Sequence, residues 1–238
     1  MSNQEEKKRK NVVFDWTRRY NNAVLNFMHN PEGEFMLYGD TYHRAAKQLL
    51  EIAISGRGSD SLETCPIVFL YRQALELHLK SIIINGNNIL RLEGKEETAG
   101  QDIFTDHSLT RLLAAAEPII EFMGWKEGGF EKDCIENFED CKTVIRDFNA
   151  IDPGSYAFRY PVDKRGQGSV EHHFAFDVRR LAAILNPVLE LLSGAAYALD
   201  DAYDNLQQAY GEAQQEAMAN AEYDYEPPEV NYGDYERE

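Results

Sequence analysis

Arg72, Glu76 and Lys80 stand four residues apart within Ile67 to Ile84, a stretch that is otherwise mostly apolar. At about 100° per residue, that spacing places all three on one edge of a helix. Two cations around a carboxylate have two uses there. On a solvated edge they form an ion-pair ladder that contributes roughly a few tenths of a kcal/mol. Inside an apolar helix they form a polar cluster that is retained because something binds to it. The second cluster is Phe158-Arg159-Tyr160-Pro161, with Asp152 before it and Asp163 after it. Proline fixes the backbone and the aromatic rings pack, which aims Arg159 inward at a carboxylate. Glu76 is the expected partner, with Tyr160 and Asp163 as further binding residues. A purely structural buried ion pair would leave the same signature.

His107 falls at an expected helix start, where a neutral imidazole can act as acid or base. Its plainer role is a surface or capping histidine. Glu171-His172-His173 invites a metal reading, but neighbouring side chains on a strand point to opposite faces, so two adjacent histidines do not share an ion. The chain has no Gly-rich phosphate loop, no HExxH, no paired CxxC and no GxSxG elbow. Standard nucleotide, zinc and serine-hydrolase sites are thereby disfavoured.

The elements that must position these residues are helices. Val13, Trp16, Tyr20, Val24 and Phe27 recur at three and four, and Asn30-Pro31 ends that helix and starts the next. The second predicted helix carries Phe35, Tyr38, Tyr42, Ala45, Leu49 and Ile52 inward and stops at the Ser55–Ser59 loop. The third runs from about Leu62 to Asn85, apolar on most sides as a central helix is, with Gly86 as C-cap. A fourth begins near Asp106-His107, directs Leu109, Leu112, Leu113 and Ala116 inward, and is bent at Pro118. A fifth carries Phe130, Cys134, Phe138, Cys141, Ile145 and Phe148, with both cysteines as small core residues. Between 156 and 176, two β-prone segments flank Lys-Arg-Gly-Gln-Gly, which predicts a short hairpin. Asp177 caps the last helix, whose stripe from Leu181 to Tyr210 alternates steps of four and three, with a bend at Pro187.

The 238 residues are enough for one sizeable core. The net charge is −17, but residues 200–238 hold twelve acidic side chains against Arg237 alone, so the rest of the chain carries only −6. The expected organisation is a charged tail over 1–10, a helical domain over 11–210 and a disordered acidic tail over 211–238. No broad basic patch announces nucleic acid. An odd set of three cysteines and a charged N-terminus point to reduced thiols in a cytoplasm. The run Ala182 to Leu199 contains Asn186, Pro187 and Glu190, and reads as a core helix and not a membrane span.

Three blocks in order carry a family likeness: Phe69-Leu-Tyr-Arg-Gln-Ala-Leu-Glu-Leu-His-Leu-Lys80, His107-Ser-Leu-Thr-Arg-Leu-Leu113, and Asp152 through Phe158-Arg-Tyr-Pro161. Over roughly residues 35–200 the chain resembles the HEPN-like helical proteins. The resemblance implies an all-α, up-and-down bundle of four or five helices, homodimerisation, and a setting in microbial defence or toxin–antitoxin systems. It also implies that RNA is the ligand. Many members are metal-independent ribonucleases, with an Arg that holds phosphate four to six residues from a His that assists 2′-hydroxyl attack. Arg72 to His78 and Arg165 to His172 match that spacing. The first pair lies about 120° apart around its helix, which makes it a degenerate form of the motif.

Two readings follow. The first is an RNA-directed HEPN-like protein without a cofactor, a candidate ribonuclease with Arg72, His78 and His107 as catalytic residues. Glu76, Lys80, Arg159, Tyr160 and Asp163 would bind beside them. The second is a non-catalytic helical module that binds itself or a helical protein partner through the long last helix and the acidic tail, the tail being suited to a basic partner.

Overall fold

The computed structural model describes residues 33–55, 63–98, 101–125, 135–170 and 174–223. Within them the chain is all-α: α1 (Glu34–Ile54), α2 (Thr64–Leu92), a 3-10 turn (Gln101–Phe104), α3 (Leu109–Phe122), α4 (Phe138–Ile151) and α5 (Val178–Tyr223). The helix expected before Asn30, Phe130, Cys134, His172, His173 and the acidic tail beyond 223 lie outside the described residues.

α2 is the centre. It packs against α1, α3 and α5, and nearly every side chain from Ile67 to Leu90 is buried. That agrees with its all-round apolarity. Its end differs from expectation, because the helix runs through Gly86 and stops at Leu92. Gly86 is a close-approach residue, since a Cβ there would lie 2.4 Å from Ile119 Cγ2 of α3. The actual stop is Gly94, at φ 68°, where Lys95 N–H donates to Leu90 O at 2.8 Å and closes the last turn.

The inward stripe of α1 sits one position from the predicted one. Met36, Gly39, His43, Ala46 and Leu50 are buried, while Tyr38, Leu49 and Ile52 are exposed. Small Gly39 and Ala46 let α1 approach α2 closely, so the aromatic and aliphatic residues beside them are left at the rim. α3 begins where expected: Ser108 caps it, and Leu109, Leu112, Leu113 and Ala116 are buried. Pro118 lies inside the helix. α4 begins at Phe138, capped by Asn137, whose Oδ1 accepts from Asp140 N at 3.0 Å. Phe138, Cys141 and Ile145 fill its buried face.

The predicted hairpin is not present among the described residues. Residues 152–170 form turns with one antiparallel bridge, Val162 to Gly168. The physical reason is where the backbone donors go. Asp152 Oδ1 accepts from Tyr156 N and Ala157 N, Arg159 N and Tyr160 N both return to Tyr156 O, and Pro161 has no N–H. Little remains for a strand ladder.

α5 buries Ala182, Leu185, Val188, Leu189, Leu192, Ala196 and Leu199, much as its stripe predicts. Beyond Leu206 its residues are exposed as far as Ala219. One window of α5 is apolar and long enough to cross a membrane by composition, at mean hydropathy 1.4. In the fold, α5 packs on α1 and α2, and a third of that window is buried.

Candidate functional site

The stripe Arg72–Glu76–Lys80 faces the inside of the bundle, where the three residues are 0, 1 and 3% exposed. Charges at such depth persist only if each finds partners. Arg72 Nη1 donates to Glu76 Oε2 at 2.9 Å, and Lys80 Nζ donates to Glu76 Oε1 at 3.0 Å. Arg72 Nη2 donates to the His107 carbonyl at 2.5 Å, and its Nε to the Asp152 carbonyl at 3.2 Å. The Asp152 carboxylate lies 3.2 Å from the same Nε. Lys80 also reaches the Phe104 carbonyl at 3.4 Å. One arginine therefore joins α2 to the residue before the α3 cap and to the C-cap of α4.

Glu76 is held from three sides. Burial pushes its carboxyl upward, but Lys80, the His107 hydrogen bond and Arg72 together outweigh burial and hold it below the usual glutamate range. His107 closes the group: its Nδ1 lies 2.9 Å from Glu76 Oε1. An ionised carboxylate only accepts, so Nδ1–H is the donor and Nε2 is the free nitrogen. The His107 side chain is 54% exposed, which makes it the one member of this group that solvent readily reaches.

The expected Glu76–Arg159 pair does not form. Arg159 Nε donates to the Ser155 carbonyl, and its guanidinium lies over the rings of Tyr156, Tyr160 and Phe69, with centroids 5.1, 5.5 and 5.6 Å away. Asp152 takes the place assigned to Arg159: the partner across from α2 is an anion that meets Arg72 and not a cation that meets Glu76. Tyr160 is half exposed and stacks near Tyr156. Asp163 shapes a turn, its Oδ1 accepting from Arg165 N and Gln167 N. Neither one reaches the Glu76 cluster.

His78 does not share a site with Arg72. It is fully buried against α1, where a Cβ on Gly39 would lie 2.8 Å from its Cε1. Neither ring nitrogen has a hydrogen-bond partner, and Nε2 is 3.5 Å from Asp40 Oδ1. Burial pushes this imidazole down to about 4, against the opposing pull of Asp40. Around it lies a second polar group that sequence reasoning missed. Asp40 accepts from Ser193 Oγ at 2.8 Å and from Tyr197 O–H at 2.9 Å. Asn186 Oδ1 accepts from Tyr71 O–H at 3.0 Å and from His43 Nε2 at 2.9 Å. Asn186, a polar side chain within an apolar helix run, was the available signal. Among the described residues no group of three His, Cys, Asp or Glu is placed to hold a metal ion.

Comparison with family models, with curated proteins and with solved structures finds no match for this chain.

Proposed function

We propose that the protein works by binding and not by cleavage, as a HEPN-like helical module of a microbial defence or toxin–antitoxin setting. The observation that carries this is the state of Arg72. Its side chain is wholly buried, and Nε, Nη1 and Nη2 each donate to an acceptor inside the fold. A phosphate oxygen would have to displace those acceptors and to strip the buried Glu76 carboxylate of its Oε2 partner, a cost of about 3 kcal/mol. The histidine at the motif spacing faces α1 instead. Among the described residues, the surfaces open to a partner include the exposed end of α5 and the apolar surface around Ile151 and Phe176.

The test is incubation of purified protein with structured RNA in EDTA, alongside capture of partners and light scattering. The expected outcome is intact RNA together with self-association or a bound protein. Specific cleavage that disappears in His107→Ala would replace this reading with the second one.

That second reading, an RNA-directed ribonuclease, draws on His107. A half-exposed imidazole oriented by a buried carboxylate through Nδ1 is a competent arrangement for proton transfer at Nε2. In this reading Glu76 is a positioning residue, and Lys80 and Arg72 act through it.

A further inference from the structure

The described residues include three histidines, His43, His78 and His107. The first two are buried, whereas the His107 side chain is 54% exposed, so His107 alone among them presents its ring to a reactant in solution. Its Nδ1–H donates to Glu76 Oε1 at 2.9 Å, and that carboxylate is buried and held ionised. The bond fixes the tautomer and leaves the free in-plane lone pair on Nε2. The carboxylate behind Nδ1 also makes Nε2 more electron-rich and stabilises positive charge that the ring acquires. An imidazole held in this way is a nucleophile as well as a base.

The surroundings favour the nucleophile. Cleavage of a phosphodiester asks for a guanidinium that can hold the phosphate, and Arg72 has Nε, Nη1 and Nη2 each on an acceptor inside the fold. Receipt of a phosphoryl group asks only for an exposed, oriented nitrogen and a cationic setting for the charge that arrives. Lys80 supplies part of that setting, because its ammonium sits 3.0 Å from the same Glu76 oxygen that His107 uses. The one carboxylate next to His107 in the chain, Asp106, is already engaged. Arg111 Nε and Nη2 donate to it at 2.7 and 2.6 Å, and Ser108 N–H donates at 2.8 Å. The positive end of the α3 dipole begins two residues after His107.

We propose that His107 is a phosphoryl-acceptor site, modified at Nε2 by a donor of the acyl phosphate class. The Nε2 lone pair attacks phosphorus, an N–P bond forms, and the P–O bond to the acyl oxygen breaks. The leaving carboxylate takes that electron pair with it. No proton is transferred: Nδ1–H stays in its bond to Glu76, whose negative charge faces the phosphoimidazolium ring. Glu76 is the positioning residue, and Lys80 and Arg72 keep it ionised. The product puts a strongly anionic group where the junction of α2 and α3 meets solvent. This modification goes beyond the binding reading and does not depend on it.

Incubation of the full-length chain with acetyl phosphate in EDTA tests the proposal, read by phosphorus NMR and by peptide mass mapping at neutral pH. The expected result is a phosphoryl group on His107, as the Nε2 isomer, formed about tenfold faster than on N-acetylhistidine at the same donor concentration. His107→Ala should remove it. Glu76→Gln should slow it about tenfold and let the Nδ1 isomer appear. Glu76 is buried, so circular dichroism checks that this variant folds, and the isomer formed on the parent chain tests the orientation without any substitution. No label at His107, a rate no greater than that of N-acetylhistidine, or the Nδ1 isomer on the parent chain overturns the proposal. An unchanged rate in folded Glu76→Gln overturns it as well.

Discussion

Buried ionisable groups make their contributions through what surrounds them, and His78 and His107 show opposite cases. His78 is neutral in the fold because no partner compensates its burial. Its pKa is about 4 folded and near 6.5 unfolded, so the unfolded chain binds more protons between those values. Stability is therefore fully present above pH 6.5 and is lost as pH falls toward 4, on the order of 3 kcal/mol from this residue. His43, also lowered by burial, adds in the same direction. Urea denaturation across pH 5 to 6.5 should show this slope, and His78→Gln should remove most of it. Glu76 acts lower: its depressed carboxyl contributes stability above the unfolded value of 4.5 that is lost as pH falls through the folded value. His107 differs because its side chain is half in water. His107→Ala should cost about 1 to 2 kcal/mol by thermal melting, since it takes one hydrogen bond from the buried Glu76 carboxylate, which keeps Lys80 and Arg72.

At the scale of the helices, glycine contacts decide which faces meet. Gly86→Ala would place a Cβ 2.4 Å from Ile119 Cγ2, so α2 and α3 must separate or Ile119 must move. The expected loss is about 1 to 3 kcal/mol, and Ile119→Ala, which removes all three atoms the new Cβ would meet, should show a coupling of opposite sign in a double-mutant cycle. This also explains what the sequence made legible. α2, α3, the buried part of α4 and the α5 stripe follow from periodicity, because their apolar residues are large and point inward. Gly86 and the α1 face do not, because a glycine that permits close packing has the same one-letter signature as a helix stop. The same limit applied to the polar groups. The stripe Arg72, Glu76, Lys80 was visible as an edge, and its meeting with His107 was not, because a contact 31 positions away depends on how α3 docks. Arg159 was paired with the wrong element since nothing local distinguishes an arginine aimed at a carboxylate from one lying over tyrosine and phenylalanine rings.

Across the whole molecule, the ionic cluster is a junction. Arg72 ties α2 to the α3 cap and to the end of α4, and Asp152 continues the tie into the 152–157 turn through Tyr156 N and Ala157 N. Loss of the guanidinium would take the Oε2 partner from Glu76 and the cation from Asp152, two buried carboxylates in different elements, and leave them to Lys80, His107 and the 156–157 backbone. The consequence is cooperative: the 152–157 turn, the 104–108 segment and α2 should loosen together. A binding module has a use for such rigidity, because a fixed turn segment beside α4 and α5 keeps the apolar surface around Ile151 and Phe176 in shape. The account rests on these charges being occupied inside the fold, and the urea unfolding midpoint of Arg72→Ala measures that directly. The predicted result is a loss of about 3 to 5 kcal/mol relative to the parent chain. A midpoint equal to that of the parent would mean that Arg72 is dispensable to the fold and available to a ligand, which contradicts the account.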